Sequence, residues 1–101
     1  MKDWYLYIIK CENGNLYTGI TTDVERRFSE HQSNGKKAAK YLRGKKNLRL
    51  VFNKKIGSKS LALKVENSFK KLKKSQKQFL IKDNTKFEAM IDNVTDHRGA
   101  H

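Results

Sequence analysis

The chain has 101 residues, with 23 Lys and Arg against 10 Asp and Glu, and a formal net charge of +13. That length holds one domain with a small core and excludes a second catalytic lobe or a doubly wound nucleotide fold. No run approaches the roughly 18 apolar residues of a membrane span, Met1 to Trp4 lack an apolar signal core, and Cys11 alone excludes a disulfide framework or thiolate metal cluster, so the expected location is the cytoplasm.

The charge is unevenly spread. Residues 36–82 carry seventeen Lys and Arg and a single acid, Glu66, whereas the segments on either side are slightly acidic. A one-signed field on a small domain attracts a polyanion. Nucleic acid, DNA or RNA, is the expected partner; an anionic membrane surface or an acidic protein ranks behind it.

Trp4 to Cys11 is β-branched and aromatic and reads as a strand buried on both faces. Asn13-Gly14 suits a turn with positive φ, and Leu16 to Ile20 makes the return strand, so residues 4–20 form a hairpin. Asp23 is placed as the N-cap of a helix that carries Val24, Phe28 and His31 on one face and ends near Ser33-Asn34-Gly35. Lys36 to Leu42 is a short basic helix or turn stopped by Gly44, and Leu48 to Phe52 is a third strand. Gly57 to Ser60 supplies a turn and an N-cap for the longest periodic segment, in which Ala62, Val65, Glu66, Phe69 and Leu72 share one face. A short helix over residues 76–81 packs Phe79 and Leu80. From Asp83 the apolar set is weak (Phe87, Met90, Ile91), which divides the chain into a domain over 1–82 and a weakly structured extension over 83–101. The order β-β-α-(α)-β-α-α gives an α+β fold, a small antiparallel three-stranded sheet flanked by helices.

Several residues ask for more than a bland fold. Glu66 sits on the inward stripe, where a carboxylate is either ion-paired to a neighbouring lysine or a ligand of a hard metal. Arg27 and His31 are four apart and share a helix face with Val24 and Phe28; Arg27 is either a snorkelling side chain or a phosphate clamp. Tyr5 and Tyr7 share one strand face, with Tyr17 on the partner strand. Gly19 permits a close approach. Cys11 has no local activator and reads as a buried thiol.

Tyr7 to Lys10, the ten-residue step to Tyr17-Thr18-Gly19, then Asp23 to Arg27 and His31 resemble the GIY-YIG nuclease domain, in particular its small UPF0213 (YhbQ-like) group. The resemblance covers about residues 4–80, including Ala38 to Gly44, the strand at 48–52 and the Glu66 helix. Two departures are plain: Tyr5-Leu6-Tyr7 stands for Gly-Ile-Tyr, and Thr18 replaces the middle isoleucine of the second motif. The asparagine that many members carry after the glutamate helix is unmatched.

The resemblance implies a DNA endonuclease of repair or processing, acting on branched, flapped or linear DNA and using one Mg²⁺ or Mn²⁺ held by Glu66. The alternatives are a catalytically weak or inactive nucleic-acid-binding module, or an accessory protein with a structural Glu66. Tyr7, or alternatively Tyr17, would deprotonate the attacking water, with adjacent cations or the metal lowering the phenol pKa. Arg27 would hold phosphoryl oxygens, and His31 would hydrogen-bond a tyrosine or assist with the proton. Lys36, Lys37, Lys40, Arg43, Lys45 and Lys46 would grip the nucleic-acid backbone without reading bases. A larger protein would supply targeting, and the chain itself would be a monomer or weak dimer. Tyr7, Tyr17, Arg27, His31 and Glu66 should then line one surface.

Overall fold

A computed structural model describes residues 2–33 and 35–95. Strand β1 (Trp4–Lys10) is the middle of a three-stranded antiparallel sheet, between β2 (Leu16–Thr21) and β3 (Arg49–Gly57). The hairpin closes as expected, with Gly14 at φ +89° and the Cys11 N–H donating to the Asn15 carbonyl at 2.8 Å. Helix α1 (Val24–Gln32) follows β2; its N-cap, Asp23, accepts from the Arg26 N–H at 3.1 Å. The expected end of that helix includes Asn34, which lies outside the described residues. A single 3₁₀ turn, Lys40–Leu42, interrupts the loop to β3. Helices α2 (Lys59–Lys70), α3 (Lys74–Lys82) and α4 (Asn84–Thr95) complete the chain, with Ser58 capping α2 through the Leu61 N–H. The fold is α+β, as expected. Among the described residues, no helix is long and apolar enough to cross a membrane.

Because β1 is central, its alternating side chains feed two cores. Leu6 and Ile8 join Val65, Phe69 and Phe87 under α2 and α4. Tyr7, Ile9 and Cys11 face the other way and pack with Leu42 and Leu48, flanked by Val24 and Phe28 of α1. The sequence signal for two-sided burial is thus correct, and the two faces have separate tasks.

Three expectations are corrected. The third strand does not stop at Phe52 but runs to Gly57, because β1 pairs with it along its whole length, through Tyr5 opposite Lys55 and Trp4 opposite Gly57. Its polar residues fit an edge strand, with Lys54 ion-paired to Glu88 at 2.7 Å and Lys55 to Asp3 at 3.5 Å. Phe79 is exposed rather than packed, since Leu80 and Ile81 take the inward side of α3. Most consequentially, the residues read as a weak extension contain α4. Phe87 is fully buried there, its ring stacked 4.5 Å from Phe52 and tilted 5.6 Å from Phe69. The last part of that extension, residues 96–101, lies outside the described residues.

Removing a buried phenyl ring leaves a cavity worth about 3–5 kcal/mol. Phe87→Ala should therefore lower Tm by more than about 10 °C in a domain of this size, as read by circular dichroism melts. A shift below a few degrees would mean that α4 is dispensable to the core.

Candidate active site

Tyr7 anchors the site. It lies directly opposite Gly19 on β2, and its ring covers that glycine so closely that a Cβ there would meet the phenol oxygen at 2.5 Å and Cζ at 2.6 Å. Gly19 is thus needed for the approach of a side chain rather than of a ligand. Tyr17, opposite Ile9, points to the same face, its ring centroid 6.4 Å from that of Tyr7. Two of the motif departures, Leu6 and Thr18, fall elsewhere. Thr18 is buried opposite Ile8 and Leu6 is in the α2–α4 core, both on the far face; Tyr5 lies opposite Thr21.

His31 completes the cluster from α1. It is fully buried, with Nε2 2.9 Å from the Tyr7 hydroxyl and its ring edge-on to Tyr17 at 5.5 Å. Its other nitrogen, Nδ1, accepts the Ala39 backbone N–H at 3.2 Å. Burial first, then the Arg27 charge, push its pKa down to about 4, against a partial opposing pull from Glu30, so the ring is neutral at pH 7. A neutral ring that accepts at Nδ1 carries its proton on Nε2. The network therefore assigns Nε2–H as donor to the Tyr7 oxygen, and the phenol's own hydrogen is left to point elsewhere. His31 orients Tyr7 and has no vacant lone pair with which to take its proton.

Tyr7 is 2 % exposed. Burial and then Tyr17 raise its pKa, the Arg27 charge and hydrogen bonding lower it, and Glu66 raises it again. The net result lies well above the ordinary phenol range. The expected lowering by adjacent cations is therefore present through Arg27 but is outweighed by desolvation.

Arg27 donates through Nη1 to Glu30 at 2.9 Å and to the Lys37 carbonyl at 2.6 Å. Burial opposes its charge, but the Glu30 hydrogen bond and Tyr7 outweigh that and hold the guanidinium firmly protonated. Both bonds use one nitrogen, which leaves Nε and Nη2 donors for Tyr7 and for an anion. Arg26, as expected, points outward, 56 % exposed.

Glu66 comes from α2, which packs against β1 and β2. Its side chain is 13 % exposed and ion-paired to Lys70 at 3.2 Å, and its charge is felt at Tyr7. Tyr7, Tyr17, Arg27 and His31 are thus brought into mutual contact or influence, and Glu66 reaches Tyr7 through its field. Among the described residues no three His, Cys, Asp or Glu groups converge. One hard carboxylate with a half-exposed partner suits a mostly hydrated Mg²⁺ or Mn²⁺ that takes its remaining ligands from water and phosphate, and not a zinc-type cage. Cys11 is buried and its thiol is pushed up by that burial, with Lys45 pulling the other way, so it is no nucleophile.

Of the basic residues expected on the backbone-binding face, Lys36, Lys37, Lys40 and Lys46 are exposed and Lys45 is half-buried. Arg43 is exposed as well. Its guanidinium donates to the carbonyls of Ala38 at 3.2 Å and Lys36 at 2.8 Å, so it staples its own loop. Sequence reasoning assigned no role to Glu30 or Tyr41. Tyr41 stacks on Tyr17, with centroids 6.1 Å apart and planes 13° from parallel; its sole outward signal was an aromatic residue inside a basic run.

Residues 3–79 match the GIY-YIG catalytic domain. The chain belongs to the GIY-YIG family, within its UPF0213 group. It is 52 % identical over 90 residues to a UPF0213 protein of Cronobacter sakazakii, covering 89 % of this chain and 93 % of that one. It is 47 % identical over 94 residues to the UPF0213 protein YhbQ of Salmonella typhimurium, covering 93 % and 92 %. The solution NMR structure of a UPF0213 protein from Bacillus halodurans aligns with a TM-score of 0.52 at 41 % identity, covering 79 % of this chain and 83 % of the other. A protein of E. faecalis aligns at 0.55 and 35 %, covering 79 % and 84 %. The GIY-YIG match ends before α4 begins, although Phe87 shares its core.

The histidine assignment has a pH consequence for this GIY-YIG domain. The unfolded chain binds a proton on His31 near pH 6.5, which the folded chain refuses until about 4. The stability contributed by this site is therefore complete above about pH 6.5 and falls as pH drops toward 4. The His31 ring resonances should stay in the neutral Nε2–H form at pH 5.5 in an NMR titration. An imidazolium signature at that pH would refute the assignment.

Proposed function

We propose that this chain is a nuclease that hydrolyses phosphodiester bonds in DNA, in repair or processing, with one Mg²⁺ or Mn²⁺ held at Glu66. The observation that carries this reading is the buried Tyr7–His31 pair beside Tyr17 and the partly free Arg27 guanidinium. Family membership supports it.

Hydrolysis needs a base for the attacking water, donors for the phosphoryl oxygens, and stabilisation of the leaving oxygen as its bond to phosphorus breaks. Arg27 supplies the donors through Nε and Nη2. Tyr7 is the base once its own proton has passed to solvent, with Tyr17 as runner-up, and His31 fixes the direction of the Tyr7 lone pairs and stabilises the phenolate by its Nε2–H. A divalent cation, when bound, supplies charge stabilisation at the phosphate and leaving oxygen and reverses the local effect of Glu66 on the phenol. In the resting protein Tyr7 keeps its proton, because burial outweighs Arg27. That same feature favours one second reading, a nucleic-acid-binding module with weak catalysis. Lys36, Lys37, Lys40, Lys45 and Lys46 would hold the backbone in either case.

The deciding experiment is a cleavage assay on linear, flapped and branched DNAs with Mg²⁺, Mn²⁺ or EDTA. Metal-dependent cleavage that is lost in Tyr7→Phe and Glu66→Ala is the expected result; no cleavage of any substrate with either metal would leave only the binding module. Binding itself should be salt-dependent, with a slope in log K against log salt of about −0.9 per phosphate engaged, and a flat response would remove the backbone face. Glu66→Ala should also leave the fold intact. Lys70 is 51 % exposed, and a pair of this kind is worth about 0–1 kcal/mol, so Tm should move by less than about 8 °C. A larger loss would identify Glu66 as structural.

A further inference from the structure

A groove of about 900 Å³ lies beside the hairpin turn, lined by Lys10, Lys45, Lys46 and Arg49 over the buried Cys11 and Leu48. One wall is fixed by the Asn47 side-chain amide, which donates to Glu12 at 2.6 Å. Among the described residues none of the four cations is ion-paired, whereas Arg26, Arg27, Lys54, Lys55 and Lys70 all are. Four unpaired charges against the single carboxylate of Glu12 make this groove an anion path.

Lys45 joins the groove to the active site. It lines the groove, and its Nζ lies 4.7 Å over the ring of Tyr41. Tyr41 in turn stacks on Tyr17 and accepts from the Asn15 side-chain amide at 3.0 Å, yet remains 45 % exposed. A tyrosine held by a neighbouring ring and a hydrogen bond, nearly half exposed, and with a flexible lysine over its ring that an incoming base can displace, is the composition of a stacking platform for nucleic-acid bases.

We propose that this groove carries one unpaired nucleic-acid strand past the active site, with Tyr41 stacking on one of its bases. This deepens the nuclease reading and rests on it only for the identity of the site that the strand passes. An unpaired strand fits better than a duplex for two reasons. The groove is concave and of small-ligand size, whereas a duplex presents its phosphates over a broad convex surface. Stacking on Tyr41 also requires a base face that is not already covered, which inside a duplex belongs to the neighbouring base pairs. The bases are not read by edge contacts here, so the preference is for strand state and not for sequence.

The test is a binding titration in EDTA, which reads affinity whether or not the protein cleaves. The probes are a fluorescent single-stranded oligodeoxynucleotide, a blunt duplex of equal length, and the same duplex with a single-stranded flap. The strand and flap should bind more tightly than the blunt duplex. Tyr41→Leu should weaken strand and flap binding roughly tenfold, the scale of one lost base stack, and leave the blunt duplex within about twofold. The paired substitutions Lys46→Gln and Arg49→Gln, at exposed positions without ion pairs, should weaken strand binding and flatten its salt dependence, which keeps the test valid if Tyr41→Leu folds poorly. Equal affinity for strand and duplex in the parent protein, or strand binding unchanged in the lysine–arginine variant, would overturn the proposal. Absence of cleavage in a protein that shows the strand preference would count against the nuclease reading alone.

Discussion

The arrangement hangs on one buried imidazole. His31 donates from one nitrogen to the hairpin, at Tyr7, and accepts with the other from the loop, at Ala39. Helix α1 is therefore pinned between the hairpin before it and the loop after it, and each contact constrains the other. The other tautomer would set a donor against a donor at Ala39, so the proton position is fixed by structure and not left to solvent. The space for this arrangement exists because Gly19 lets the Tyr7 ring lie flat on β2. The direction of α1 is set at its start by the Asp23 cap.

The loop over residues 36–43 belongs to the same unit. Arg27 bonds the Lys37 carbonyl, Ala39 bonds His31, Tyr41 leans on Tyr17, and Arg43 closes the loop on itself. Three of the side chains proposed for chemistry thus also hold the basic loop in place. Substituting any of them changes the shape of the surface presented to a polyanion as well as the reacting group. Losses of activity and of binding in such variants are expected to be coupled.

What the sequence makes legible is what short-range chemistry decides. The Asn13-Gly14 turn, the Asp23 and Ser58 caps and the helical spacing of Ala62, Val65 and Phe69 all depend on neighbours within a few residues. The shared face of Arg27 and His31 is of the same kind. The extent of β3 is not, because Asn53, Lys54 and Lys55 become strand residues through pairing with β1. Nor is α4, whose place depends on one phenylalanine meeting Phe52 and Phe69 across the sheet. In the site, the residues were readable but their states were not. The acceptor role of His31 Nδ1 is set by a backbone group eight positions on, and the bonds that Arg43 makes by carbonyls of its own loop. An arginine in a basic run looks the same in sequence whether it meets a phosphate or a carbonyl.

The two-sided strand at the centre has a consequence for how such a chain can vary. Leu6 and Ile8 serve the helical core, while Tyr7 and Ile9 serve the site. Because the side-chain period of a strand is two, a single inserted or deleted residue within β1 exchanges the faces from that point onward. With such a change ahead of it, Tyr7 would be delivered into the phenylalanine layer, and Leu6 (on insertion) or Ile8 (on deletion) would be handed to His31. The hairpin tip is therefore where this chain can bear a change of length, while the residues of β1 beside Tyr7 can drift in identity but not in number.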